Sequence, residues 1–281
     1  MLLRSARRAQ RWPQPRLQPP KFAAAVARAR RTNAAASVAS FSSSNNASRY
    51  VTDGAVGNVT RKFGDPSFWE WQYSSQYDSE EEHAPFEWFL PYEGGLREYL
   101  LPVLESTPSC TRVLHVGCGT SDVGPKLSQE LSLSLHVTDT DISPSAVQLM
   151  KQRHAGLKNY VCREADCSGL NFPDGSFDAV VDKGTLDALL CRGVDDAREM
   201  VAEVHRVLTK GGVYVQVTAE DPDARLELIT EGGGGGSGGG SEGKGHQGGE
   251  QRGLWSRHFF KELDELGDGG QSTYFLYVLV K

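Results

Sequence analysis

The residues best placed to do chemistry stand in short runs, each at the end of an apolar stretch. Val113-Leu-His115-Val-Gly117-Cys118-Gly119-Thr-Ser121 leads from a strand-like segment into two glycines separated by one residue. Glycine there lets a ligand approach the backbone, and the N-terminus of a following helix offers free N–H groups. A second run ends in Asp139-Thr-Asp141-Ile142-Ser143-Pro144. A carboxylate at the tip of a second strand can accept both hydroxyls of a ribose. Ser143 and Pro144 read as a helix N-cap followed by proline at the first helical position. That register favours Asp141 over Asp139 as the ribose ligand and leaves Asp139 solvated or behind the site. A third run ends in Glu164-Ala-Asp166-Cys167. There Asp166 can accept from the amino group of an adenine, the alternative being an exposed loop acid. Three such elements in this order, spaced by about 25 residues, point to a cofactor carrying adenine and ribose. Asp122 stands where the dinucleotide fingerprint G-x-G-x-x-G needs its third glycine, so a dinucleotide is not the expected ligand.

A fourth run, Phe177-Asp-Ala-Val-Val-Asp182-Lys183-Gly-Thr-Leu-Asp187, delivers charged residues to the carboxyl edge of the predicted sheet, where open α/β sheets place their sites. Asp187 reads equally as a solvated helix acid. Upstream, Phe68-Trp69-Glu70-Trp71-Gln-Tyr73 and Phe86-Glu87-Trp88-Phe89 concentrate aromatic residues. Trp69 and Tyr73 are four apart and share a helix face. They form either a lid over the cofactor or the ordinary packing of an N-terminal helix.

The elements that must position these residues alternate. Apolar runs at 112–117, 133–139, 159–166, 177–182 and 212–218 predict strands, the last after the turn signal Lys210-Gly211-Gly212. Residues 144–154 and 194–208 predict helices, the second with Ala197, Met200, Val201, Val204, Val207 and Leu208 on one face. Strands alternating with helices imply a parallel sheet covered on both faces. Residues 254–266 and 272–281, joined by Gly267-Asp-Gly-Gly270, predict an antiparallel hairpin at the sheet edge. Residues 231–249 hold 12 glycines in 19 positions and predict a flexible loop, with no G-K-[ST] to make a phosphate cradle.

Charge divides the chain unequally. Residues 1–50 carry ten Lys and Arg and no acid, while residues 51–281 carry 20 basic against 36 acidic side chains. A body at −16 repels phosphate, so general nucleic-acid binding is not expected. No run approaches the 18 apolar residues of a membrane span. Five cysteines without a C-x-x-C pair argue against a disulfide framework and a structural zinc site. No other metal site is expected. Residues 1–48, rich in Arg, Ala and Ser, have the pattern of a mitochondrial transit peptide and imply a matrix location. A disordered basic arm binding RNA or membrane is the alternative.

Taken together, the motifs resemble those of class I S-adenosylmethionine-dependent methyltransferases, whose fingerprint does not require a third glycine. More narrowly, they resemble the protein-lysine methyltransferases that act on translation elongation factors and citrate synthase. Phe68-Trp69-Glu70, Phe86-Glu87-Trp88-Phe89, Gly117-Cys-Gly-Thr-Ser121 and Asp182-Lys-Gly-Thr-Leu-Asp-Ala188 carry that resemblance, over roughly residues 63–281. Glu220-Asp221-Pro-Asp-Ala-Arg225-Leu resembles the citrate synthase members in particular. The resemblance implies an α/β, Rossmann-like seven-stranded sheet, mostly parallel with a C-terminal antiparallel hairpin. It divides the chain into a transit segment (1–48), an aromatic helical lid (49–110) and a methyltransferase domain (111–281). It implies S-adenosylmethionine as cofactor, held by Gly117, Asp141, Ile142, Asp166, Cys167 and Lys183 and covered by Trp69, Tyr73 and Trp88. Asp182, Glu220 and Asp221 are expected on the acceptor side, facing a protein substrate, with Trp88 and Phe89 as walls. His115 departs from the family, standing where many members carry an acid that orients the amino end of the cofactor. A neutral imidazole can accept the same hydrogen bond, whereas an imidazolium would repel it.

Overall fold

The computed structural model describes residues 63–77, 85–130, 132–230, 254–267 and 270–281. The expected transit segment and the glycine-rich stretch 231–249 lie outside them. Seven strands form one sheet: β1 (Arg112–Val116), β2 (His136–Asp141), β3 (Tyr160–Glu164), β4 (Phe177–Lys183), β5 (Leu208–Thr218), β6 (Arg257–Gly267) and β7 (Gly270–Val280). Their spatial order is β3-β2-β1-β4-β5-β7-β6. The first five are mutually parallel, and β7 runs antiparallel between β5 and β6. The chain therefore builds outward from β1 to β3, returns to the other side of β1 for β4, and then builds the other way. That reversal opens a crevice at the carboxyl ends of β1 and β4, where a parallel sheet binds its ligand.

The helices follow from apolar periodicity and from their caps. α1 is Pro66–Tyr77, α2 Arg97–Ser106, α3 Val123–Leu127, α4 Pro144–Arg153, α5 Thr185–Leu190, α6 Val194–Val207 and α7 Pro222–Thr230. α4 starts as its sequence predicts: the Ser143 side chain accepts from the Ala146 amide at 3.1 Å, with Pro144 in the first turn. α6 buries Ala197, Met200, Val201, Val204 and Val207 on one face. One core cluster joins α2, α3 and α4 to Val113, Val137, Ala179 and Val215. The other joins α5, α6 and α7 to Leu114, Val116, Val180 and Tyr214. Neighbouring strand residues thus feed opposite faces, as the period of two requires. No described helix is long and apolar enough to cross a membrane.

Three local differences from the expected elements have physical causes. Lys210-Gly211-Gly212 does not end before the strand. β5 starts at Leu208, and the three residues sit where the register jumps from Phe177↔Leu208 to Ala179↔Val213, with Gly211 at φ +80°. The turn signal is a bulge inside the strand. The expected lid divides: α1 and residues 86–89 cover the crevice, while Leu100, Leu101 and Leu104 of α2 enter the core. α7 was not foreshadowed, because its anchor is a buried arginine rather than an apolar stripe (Arg225 is 1% exposed).

Asp139 in β2 is fully buried, not solvated, and α3 packs directly on it. A Cβ at Gly124 would lie 1.9 Å from the Asp139 carboxylate. Gly124→Ala is expected to lower stability by about 1–3 kcal/mol through overpacking, read as a lower urea midpoint at unchanged slope.

Candidate functional site

The crevice holds a cleft of about 820 Å³, open solvent at its mouth included, within the range of small-molecule sites. Its floor is the loop after β1. Gly117 and Gly119 have φ of +58° and +52°, a region that disfavours side chains. A Cβ would strike Thr185 at Gly117 and the Tyr73 hydroxyl at Gly119. The loop is held from β2: Asp141 accepts the Gly119 amide at 2.7 Å and the Ser143 amide at 2.9 Å, one on each oxygen. Burial pushes the Asp141 carboxyl above its ordinary value, against those amide bonds. Thr185, at the start of α5, donates to the Val116 carbonyl at 3.0 Å and ties the tip of β4 to that of β1.

The cover comes from before the sheet. Trp69 and Tyr73 stack at 6.1 Å, and Trp88 lies 5.8 Å from Trp69. Two acids fasten this cover. Glu70 of α1 accepts from the Ser143 and Ser145 hydroxyls, both at 2.6 Å, and from the Ser145 amide at 3.2 Å. Burial pushes Glu70 upward, yet these bonds prevail and hold it below the usual carboxylate range. Glu87 accepts from Ser121 Oγ at 2.8 Å, the Asp122 amide at 2.7 Å and Lys183 Nζ at 2.6 Å. Lys183 also donates to the Trp88 carbonyl at 2.9 Å, and its side chain is 2% exposed. Burial lowers its pKa, against the pull of Glu87.

The nine residues expected around the cofactor, Trp69, Tyr73, Trp88, Gly117, Asp141, Ile142, Asp166, Cys167 and Lys183, all line this one cleft. His115 lines it too. Asp166 turns its Oδ1 to the Ser168 amide and hydroxyl, at 2.9 and 2.7 Å, at the rim of the cleft.

The three acids expected on the acceptor side are placed differently. Asp182 is fully buried and absent from the cleft wall. One of its oxygens accepts the Thr185 and Leu186 amides, the other Tyr214 Oη and Gln216 Nε2. With four donors on its two oxygens and no face on the cleft, it holds the start of α5 against β5 rather than meeting an incoming group. Glu220 and Asp221 follow β5 and do not line the cleft either. Tyr277 donates to the Glu220 carbonyl at 2.8 Å, and the Arg225 amide donates to that of Asp221. Asp187 is not a solvated acid: it pairs with buried Arg225 and accepts from Thr218 Oγ1 at 2.7 Å. Among the described residues, no three side chains cluster as a metal site.

Sequence reasoning quoted Glu70, Glu87 and Arg225 only as motif members and missed what they do. For the two acids the available signal was a charge inside an aromatic run, which burial obliges to find a partner; Arg225 has no such signal.

A methyltransferase-domain family profile matches residues 114–216. Mouse (Mus musculus) EEF1A lysine methyltransferase 4 is 35% identical, over 57% of this chain and 62% of that protein. This chain thus spans less than two thirds of that relative's length. The mitochondrial citrate synthase-lysine N-methyltransferase CSKMT of Pongo abelii is 34% identical, over 69% of this chain and 78% of that protein. Among solved structures, the N-methyltransferase NodS of Bradyrhizobium japonicum, in complex with S-adenosyl-L-homocysteine, shares the fold. Its TM-score is 0.52 at 13% identity, over 76% of this chain and 98% of that one.

Glu87→Ala is expected to release the 86–89 segment from both the glycine loop and Lys183. The fall in local opening free energy is about 3 kcal/mol or more, because a buried ammonium is left unpaired. The measurement is amide hydrogen exchange at Trp88 and Asp122, which should speed up at least about a hundredfold while the β4 core stays protected.

Proposed function

The chain belongs to the class I S-adenosylmethionine-dependent methyltransferases, and we propose that it methylates lysine side chains of a protein, citrate synthase of the mitochondrial matrix. The observation that carries this reading is coverage. The match to the Pongo abelii citrate synthase enzyme extends over 78% of that protein, against 62% for the mouse elongation-factor enzyme. The acid-free, arginine-rich residues 1–48 support a mitochondrial address.

The residues present fit the cofactor. Gly117 and Gly119 have no room for side chains, the Asp141 carboxylate stands at the lip of their loop, and aromatic faces cover it, as suits a sulfonium cation. When bound, S-adenosylmethionine supplies a methyl group already activated by its sulfonium. Asp141 would take the ribose hydroxyls and Asp166 the adenine amino group. Ile142 and Cys167 would line the cofactor, and Trp69, Tyr73 and Trp88 would exclude water. Lys183 lines the cleft with its ammonium committed to Glu87 and Trp88, so it shapes the wall.

A lysine acceptor must lose a proton before it attacks. From a free pKa near 10.4, deprotonation at about pH 8 costs roughly 3 kcal/mol. Desolvating walls reduce that cost, since burial favours the neutral amine. Trp88 and Phe89 supply such walls. Phe89 is held at φ +60°, a strained value for a bulky residue, against Gly184 and 5.3 Å from the Tyr274 ring. Glu220 and Asp221 attract and orient the incoming ammonium at the end of β5, while Asp182 acts behind them by fixing α5. Catalysis on this reading is alignment of acceptor and methyl group.

The test is labelling with radioactive S-adenosylmethionine in a mitochondrial extract from cells lacking this protein. One labelled band at the mass of citrate synthase, lost with Asp141→Ala, is expected. A band at another mass replaces the substrate, and no protein band removes the lysine reading. The double variant Glu220→Ala with Asp221→Ala is expected to reduce kcat/KM for the protein substrate about tenfold or more. Its affinity for S-adenosylhomocysteine should stay unchanged by calorimetry. Unchanged turnover would remove both acids from the acceptor side.

A further inference from the structure

His115, Asp139 and Tyr160 stand on three neighbouring strands and share one face of the sheet. His115 lies directly opposite Asp139 in the β1–β2 ladder, and Tyr160 is on β3 beside β2. All three are buried: His115 is 1% exposed and Asp139 is 0% exposed. Tyr160 Oη donates to Asp139 Oδ2 at 2.8 Å. The other oxygen, Oδ1, faces His115 Nδ1 at 3.4 Å; no hydrogen bond is formed at that geometry, and neither of these two buried atoms has a hydrogen-bond partner elsewhere. The carboxylate cannot turn away. Gly124 packs against the carboxylate without room for a methyl group, and the His154 ring packs edge-on against Tyr160 at 5.6 Å.

An ionised carboxylate offers acceptors only, so a hydrogen between Oδ1 and Nδ1 belongs to the imidazole. A neutral ring with its proton on Nδ1 has a bare lone pair on Nε2. The Nδ1 edge is enclosed, and the ring lines the cleft, so Nε2 is the nitrogen left for a ligand. It repels a carboxylate and accepts from an N–H group. The adenosyl donor has N–H groups at two places, the adenine and the amino-acid end. Asp166, at the tip of β3, serves the adenine; His115, on β1 below the glycine loop, is left with the other.

Building on the cofactor reading above, we propose that Asp139 is a positioning residue for methyl-donor binding. It fixes His115 in the tautomer whose Nε2 accepts an N–H of the donor's amino end, and Tyr160 holds Asp139 in place. A relay of three strands thus does the work of a carboxylate at position 115.

The experiment measures binding of S-adenosylhomocysteine and of 5′-methylthioadenosine, which lacks the amino-acid end, to the full chain by calorimetry. Asp139→Asn presents an N–H to Nδ1 and reverses the tautomer. Its affinity for S-adenosylhomocysteine should fall about tenfold, the loss of one hydrogen bond to a charged group, with methylthioadenosine unchanged. In a His115→Ala background, Asp139→Asn should have no further effect on that ratio. Equal weakening of both ligands, or no weakening of the first, overturns the proposal. The wild-type protein gives a second readout free of folding effects: long-range 15N–1H spectra should show His115 with Nδ1 protonated and Nε2 bare. The opposite tautomer overturns it. Absence of S-adenosylhomocysteine binding by wild type would overturn the cofactor reading and this one together.

Discussion

An ammonium group at the end of a fully buried strand must find an anion inside the protein, and Lys183 finds Glu87. The partner comes from 96 residues earlier in the chain. Because leaving either charge alone would cost about 3–5 kcal/mol, the segment before the sheet has to cross over the carboxyl ends of β1 and β4. That crossing brings Trp88 above the cleft and Phe89 against Gly184. The same carboxylate holds Ser121 and the Asp122 amide, so the glycine loop and the cover share one support. Glu70 repeats the device on the other side, where it reaches the start of α4. The cleft exists because two acids in an aromatic stretch have nowhere else to go.

The aspartates around the crevice show how position along a strand decides what a carboxylate does. Asp141, at the tip of β2, keeps a face on the cleft while bracing the loop. Asp139, two residues deeper, meets Tyr160 and His115 of its own sheet and the backbone of α3 at Gly124. Asp182, at the end of β4, spends both oxygens on α5 and β5. The side chains are identical; whether the carboxylate still faces the cleft separates Asp141 from the two that are enclosed by the sheet and its helices.

The fold was legible because its determinants are local and repeated. Alternating apolar runs, the Ser143-Pro144 cap and the glycines after β1 state a parallel sheet without reference to distant residues. The residues that line the cleft from the sheet were legible for the same reason, each sitting at or just beyond the tip of its own strand. The acceptor side was not. Asp182 at a strand end reads as a reactive acid unless one knows that Tyr214 and Gln216, more than thirty residues later, point at it. Arg225 likewise has no apolar signature, and its partner Asp187 is 38 residues away. Lys210-Gly211-Gly212 reads as a turn because glycine permits φ +80° in a bulge as readily as in a loop.

The last strand in chain order does not lie at the margin of the sheet. β7 fits between β5 and β6, and pairs with β5 over Val213–Thr218 and with β6 along its whole length. During vectorial synthesis the edge of β5 therefore stays bare until the eleven residues of β7 have left the ribosome. Tyr277, which steadies Glu220 through its carbonyl, belongs to that late piece. The region around β5 can mature only after nearly all the rest of the sheet has been made. The nascent chain meanwhile carries an unpaired strand edge, a template for mispairing.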